Sequence, residues 1–330
     1  MSTIRRITKN TSILLFSQII SSLLGFFFVI YTARYLGVEG FGILSLALAL
    51  TAIFSVLLDF GLNTLLVRDV SRDESLTSQY FGNVAIMKIF FALISFGIIY
   101  ILLNFWQYSE QTVIVVYFIT ISMIIGAFTG ILYSIFQAHE KMEYQSVGQI
   151  LNSILLLLGV LFAISLKFDV IGFAVIYIIT AIVIFGYAVG VYFWKFSISP
   201  FTMDFTFCRY CIEETWPLGV MAICTIVRLK INTVILYSLY GDVAVGFFTA
   251  ASRLMDLSVI IPTMLMLAAF PIMAQYYHSS ISSFNAFYKR LFKYLFSIAL
   301  PIGLATTVLA VPIINLIYGP EFKSSADVLQ

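Results

Sequence analysis

Charge is what this chain of 330 residues has least of: Asp, Glu, Lys and Arg together make up 10% of it, against 61% hydrophobic residues. No soluble domain hides that much apolar surface, because an ordinary globular sequence carries about 25% charged residues. Cysteine is nearly absent, with three residues, and histidine is rarer still, with two. That excludes a disulfide framework. Cys208 and Cys211 form a CxxC, but without a second pair or a nearby histidine it reads as two small apolar residues, not as a zinc site. No metal and no cofactor is implied. The sequence also lacks a nucleotide-binding loop, catalytic-triad spacing, and any basic, aromatic surface for nucleic acid. Period-two alternation is missing too, which argues against a membrane β-barrel.

What is present is a series of long apolar runs. A helix needs about 20 apolar residues to cross a bilayer. Nine runs qualify: 12–33, 42–66, 82–103, 113–136, 147–166, 171–193, 216–239, 246–275 and 291–314. Helices are required because lipid offers no water to unpaired backbone groups. The expected fold is all-α and polytopic, a multi-pass protein of the cell membrane. Basic residues set its orientation. With the N-terminus in the cytoplasm, the inner ends hold Arg5, Arg6, Lys9, Arg68, Arg72, Lys88, Lys141, Lys195, Arg209, Lys289, Arg290 and Lys293. The outer ends hold only Arg34, Lys167 and Lys323. Cytoplasmic loops carry the Lys and Arg excess, so the N-terminus is expected inside and residues 319–330 outside. Trp106 and Tyr108 at an outer end, and Trp194 and Trp216 at inner ends, suit the interfacial aromatic belt. The first run is longer than a signal-peptide core and leads straight into the second, as a retained anchor does.

One loop, about 195–215, is long and polar, with Pro200, Asp204, Arg209, Glu213 and Glu214 among aromatics. It is expected to lie as an amphipathic segment on the inner membrane face. It divides the chain into a six-helix lobe (1–195), a linker (196–215) and the first three helices of a second lobe (216–330), which looks truncated. A short repeat supports the division. RYLGVEGFGILSLA (34–47) and SLYGDVAVGFFTAA (238–251) align Gly37 and Gly42 with Gly241 and Gly246, and Ala47 with Ala251. Both copies open an even-numbered run from the outer side, so the two lobes are expected to be related by an axis along the membrane normal. The glycines are also what tight turns require. Pro217, Pro262, Pro271, Pro301 and Pro312 all fall in the last three runs, where bends are therefore expected.

Arg228 and Lys230 lie inside the seventh run, and Arg253 and Asp256 inside the eighth. A cation at the bilayer centre costs roughly 2.5–3.5 kcal/mol on insertion scales, so such residues face a bundle interior or a watery cavity. Counting about 1.5 Å per residue from Gly241 puts Lys230 about 16 Å deep, Arg253 about 18 Å, Arg228 about 20 Å and Asp256 about 22 Å. Arg253 and Asp256 share a helix face, and Asn232 adds an uncharged donor and acceptor. Three cations around one carboxylate leave a positive surplus suited to an anion. Guanidinium forks at Arg228 and Arg253 would grip it, with Lys230 as a point charge and Asp256 tethering Arg253 between substrates. The competing reading locks the cations to Asp256 and backbone carbonyls, where they only orient helices. Asp59, in the second run with Asn63 one turn on, reads either as a protonatable coupling group or as a structural partner of Lys88 or a neighbouring helix. Gln18, Gln149 and Asn152 read either as hydrogen-bond partners of sugar hydroxyls or as helix-joining groups. His139 and His278 sit at loop ends without ligand spacing.

Four segments carry a family resemblance: TARYLGVEGFGILSLALAL (32–50), LDFGLNTLLVRDVS (58–71), LYGDVAVGFFTAASRL (239–254) and LIYGPEFKSSADVLQ (316–330). In this order they resemble the prokaryotic polysaccharide-biosynthesis flippases of the multidrug/oligosaccharidyl-lipid/polysaccharide exporter superfamily, over the whole chain. The resemblance implies two six-helix bundles in a V around a central cavity. It implies alternating access that moves a lipid-pyrophosphate-linked oligosaccharide from the inner to the outer leaflet. The implied partners are that lipid-linked oligosaccharide, membrane lipids and other polysaccharide-assembly proteins. Two departures stand out. The family has twelve or fourteen spans, and Asn232 stands where many members carry an acidic residue in span seven. A drug/cation antiporter of the same superfamily would prefer intramembrane acids, the reverse of the pattern here. A membrane glycosyltransferase or polysaccharide polymerase would need a large outer loop or clustered outer acids, whereas Glu39, Glu110, Asp169, Asp242 and Glu321 are dispersed over short turns. A non-transporting fragment or scaffold is the remaining alternative.

Overall fold

The computed structural model describes residues 3–106, 108–196 and 204–330; the linker stretch 197–203, with Pro200, lies outside them. Among the described residues every regular element is helical: α1 (Thr3–Asp59), α2 (Leu62–Val70), α3 (Thr77–Phe105), α4 (Glu110–Ala138), α5 (Met142–Ser165), α6 (Val170–Lys195), α7 (Phe205–Ser279), α8 (Ile281–Val308), α9 (Ala310–Ile317) and α10 (Ser325–Leu329). Seven of these, α2, α9 and α10 excepted, are long and apolar enough to cross a membrane. Side chains set the starts: Ser109, Asp169 and Asp204 each accept a hydrogen bond from a backbone N–H of the turn they precede.

Two of the seven are bent double. α1 leaves helical geometry only at Gly37 (φ 66°, ψ −174°), and α7 only at Gly241 (φ 76°, ψ −169°). Glycine tolerates this left-handed backbone because it has no Cβ. Ser22 and Leu48, which a straight helix would hold about 39 Å apart, line one cavity. The two bent helices thus supply four crossing arms, and with α3–α6 and α8 the total is the nine expected from the sequence.

Gly42 and Gly246 serve a different purpose. A Cβ added at Gly42 would fall on the Asp242 carbonyl oxygen, and one added at Gly246 on the Val38 carbonyl oxygen. The four residues are related by the same spacing as the sequence repeats, so each copy presses its glycine on the other's backbone. Such reciprocity is what a two-fold relation produces. The third outer turn, at Gly319 (φ 100°, ψ 173°), joins them. Its Phe322 meets the rings of Phe41 and Phe247 at 6.1 and 6.4 Å. Arg34 donates through Nε to the Ile317 carbonyl at 2.7 Å, and through Nη2 to the Leu316 carbonyl, so it caps the end of α9.

At the opposite end, called inner after the charge bias, the linker differs from expectation. Residues from Phe205 onward run directly into the seventh arm as one helix and pack on α2 and α3. Phe207 sets its ring edge-on to Tyr80 at 4.8 Å, and the Asp204 N–H donates to Asn83 Oδ1 at 2.9 Å. Cys211 is fully buried in the same apolar cluster, with Cys208 against it. Arg68 bonds Asp69 (2.7 Å) and Glu214 (3.0 Å), while the Tyr80 and Tyr210 hydroxyls donate to Asp69 at 2.6 and 3.0 Å. Two sequence expectations change here. Lys88 does not belong to the inner rim: α3 begins at Thr77, before its apolar run, so Lys88 lies inside the bundle at 1% exposure. Proline does not set the sharp bends, since Gly241 is the one non-helical residue recorded within α7 and α8 continues through Pro301.

Candidate functional site

Arg253 and Asp256, on the second arm of α7, line a cavity of about 330 Å³ together with Ser22, Thr32 and Ser45 of α1, Ser153 of α5 and Tyr177 of α6. Lys230, on the first arm, comes within electrostatic reach of both Arg253 and Asp256. A straight helix would separate Lys230 from Arg253 by about 35 Å; the fold at Gly241 brings them together. Arg253 also acts on the Tyr177 and Tyr318 hydroxyls.

Among the described residues, no hydrogen bond or ion pair is recorded for Lys230, Arg253 or Asp256. The expected Arg253–Asp256 tether is therefore not made. Their shared face brings the stems together, but Arg253 is half-buried while Asp256 is exposed, and no ion pair joins them. The cations are not locked to carbonyls either. Arg228 and Asn232 stand apart: both are exposed, whereas Lys230 is half-buried, though none of the three lines the cavity itself. Two residues turn a helix by roughly 200°, so the rotation that brings Lys230 to the cluster carries Arg228 and Asn232 to another face.

Asp59 lies elsewhere. The Lys88 ammonium donates to Asn63 Oδ1 at 2.9 Å and to the Ala127 carbonyl at 3.0 Å, with Asp59 Oδ1 at 3.5 Å. Lys88 is 1% exposed and the Asp59 side chain 40%, so the two amide oxygens hold the ammonium more closely than the carboxylate does. The sequence reading missed the hydroxyl lining of the cation cavity. Ser22, Gly25, Val29 and Thr32 recur at three- and four-residue spacing on one face of α1, small or hydroxyl-bearing within an apolar run. That period was the available signal.

Nine membrane-crossing arms, two matched glycine hairpins and a cavity between them define a multi-pass helical membrane protein with a two-lobed exporter fold. The chain belongs to the polysaccharide biosynthesis protein family, whose model matches residues 7–277. Solved structures share the fold. An inward-facing multidrug-resistance MATE family transporter of the MOP superfamily superposes with a TM-score of 0.71 at 17% identity, over 94% of this chain and 75% of that one. The lipid II flippase MurJ, in an inward closed conformation, gives 0.71 at 16%, over 96% and 70%. A MOP superfamily transporter from Pyrococcus furiosus, with a binding pocket of reverse polarity, gives 0.58 at 15%, over 98% and 76%. No curated protein sequence matches significantly.

Proposed function

We propose that this chain is a transporter that flips a lipid-pyrophosphate-linked oligosaccharide from the inner to the outer leaflet of the cell membrane by alternating access. The N-terminus would be cytoplasmic, and residues 1–195 and 216–330 would form the moving lobes. The observation that carries the reading is a pair of cations with no hydrogen bond or ion pair among the described residues: Arg253, which lines a cavity framed by both glycine hairpins, and Lys230, within electrostatic reach of it. Two cations facing one carboxylate, Asp256, leave a net positive charge that favours an anionic ligand, and a pyrophosphate suits a guanidinium fork beside an ammonium. A drug cation would meet repulsion from the same groups. Family membership supports the link to polysaccharide biosynthesis, and the fold shared with the lipid II flippase MurJ is compatible with a lipid-linked cargo.

The test is export of lipid-linked sugar by the full chain, with membrane abundance measured alongside. Arg253→Ala and Lys230→Ala are expected to abolish export at normal abundance, and Arg253→Lys to restore part of it, because ammonium lacks the bidentate fork. Arg228→Ala is expected to have the smaller effect. Normal export from an Arg253/Lys230 double alanine variant would rule the reading out.

A further inference from the structure

A second cavity, of about 420 Å³, lies among the first six arms, bounded by α1, α4, α5 and α6. It shares Ser153, Leu156 and Tyr177 with the cation-bearing cavity, so the two spaces adjoin. Its chemistry differs. No charged residue lines it; its polar groups are amides and hydroxyls, including Gln18, Gln149, Asn152 and Thr180. Within a bilayer such groups normally satisfy one another across helices. Some of them do. The Ser17 hydroxyl donates to Gln149 Oε1 at 3.2 Å, and the Ser122 hydroxyl to the Tyr177 carbonyl at 3.1 Å. Asn152 and Thr180 do not: neither side chain has a hydrogen-bond partner among the described residues, although Thr180 is only 4% exposed. An amide and a hydroxyl together offer donors and acceptors in both senses, and both residues line the cavity, open to a ligand there.

We propose that this second cavity is a subsite for a neutral, polyhydroxylated group, namely a sugar ring attached to the anionic group held at Arg253 and Lys230. The placement rests on the anion-site reading above. Sugar hydroxyls both donate and accept, as the Asn152 amide and the Thr180 hydroxyl require. A neutral ring needs no counter-ion, and none is provided. The volume falls within the range of small-molecule sites, about 300–1,000 Å³. The shared wall at Tyr177 lets one ligand occupy both spaces, its charged end toward Arg253 and its neutral end toward Asn152.

The experiment measures binding to the full chain in lipid nanodiscs. The probes are farnesyl pyrophosphate and the same prenyl pyrophosphate bearing N-acetylglucosamine or galactose. The wild type is expected to bind at least one sugar-bearing probe about tenfold more tightly than the bare one, the effect of a few added hydrogen bonds. Asn152→Leu and Thr180→Val should cut that advantage to about twofold and leave the bare probe's affinity unchanged. Their thermal transitions should match or exceed the wild type's, since each removes an unpaired polar group, so lost binding is not misfolding. Ser95→Ala is the control: its hydroxyl is buried, unpartnered and outside both cavities, and all three affinities should stay. Should Arg253→Gln leave bare-probe affinity intact, the anion site falls while the sugar-dependent difference still stands. Equal wild-type affinity for all three probes overturns the subsite, as do equal losses for all three in Asn152→Leu.

Discussion

Two sets of cations lie inside this helical bundle, and they are held in opposite ways. Lys88 is wholly enclosed and its ammonium has oxygen acceptors at 2.9 and 3.0 Å, with a carboxylate at 3.5 Å. Lys230 and Arg253 are half-buried, Arg253 lines a cavity, and neither has a hydrogen bond or ion pair among the described residues. A charge taken out of water must be paired or hydrogen-bonded. The protein does this itself for Lys88, whereas for the α7 cations the task is left to water or to an anion. Depth in the membrane does not distinguish the two sets; the partners do. Lys88 ties α1, α2, α3 and α4 together, whereas no side chain or carbonyl among the described residues pairs with Lys230 or Arg253.

The comparison breaks first if Lys88 survives the loss of its acceptors. Asp59→Ala combined with Asn63→Leu leaves the buried ammonium only the Ala127 carbonyl and no carboxylate, and is expected to cost about 3 kcal/mol. It should show as poor accumulation in the membrane and a lowered thermal transition. An unchanged transition would put Lys88 in the same class as Arg253. Asp59→Asn alone should cost only about 1 kcal/mol, because that carboxylate keeps contact with solvent.

An uncharged contact sharpens the contrast. Gly42→Ala pushes a methyl group onto the Asp242 carbonyl, and Gly246→Ala onto the Val38 carbonyl. Each is expected to cost about 1–3 kcal/mol. The two losses should be similar, since the contact is reciprocal, and insensitive to salt, since no charge is involved. Thermal melts at low and high ionic strength check both points.

The smallest effect belongs to the inner network. Arg68 and Glu214 are each 42% exposed, so Glu214→Gln should cost no more than about 0.5–1 kcal/mol and less in high salt. Burial pushes the Asp69 carboxyl up, but hydrogen bonds from Arg68, Tyr80 and Tyr210 outweigh it and hold the group below the usual carboxylate range. A depressed folded value means the stabilisation is full above the ordinary carboxylate pKa of about 3.9 and lost as pH falls through the folded value. Melts across acidic pH should show this decline in the wild type and a flatter profile in Asp69→Asn.

The apolar length of the runs made the nine arms legible, and the repeat marked Gly37 and Gly241 as turns because few residues other than glycine take that backbone. The role of Gly42 and Gly246 was not legible in the same way. A glycine that lets two backbones touch looks like one that lets a chain turn, until the partner strand of contacts is known. Lys88 was assigned to the inner rim because its apolar run starts at 82, while the helix starts at 77. Among the charges of α7, sequence spacing did not set rotation. Rotation depends on which neighbouring helix each face meets, and that decided for Lys230 over Arg228.

The central claim is that the α7 cations are free because a ligand anion binds them. Thermal melting of the full chain with and without farnesyl pyrophosphate tests it most directly. The wild type should melt higher with the probe. Arg253→Gln and Lys230→Gln should melt no lower than the wild type without it, since an unpaired charge has been removed, and should lose the probe-induced rise. Lys88→Met should do the reverse, melting lower alone yet keeping the rise. If Arg253→Gln melts as low as Lys88→Met and the wild type shows no rise, the α7 cations are structural and the account is wrong.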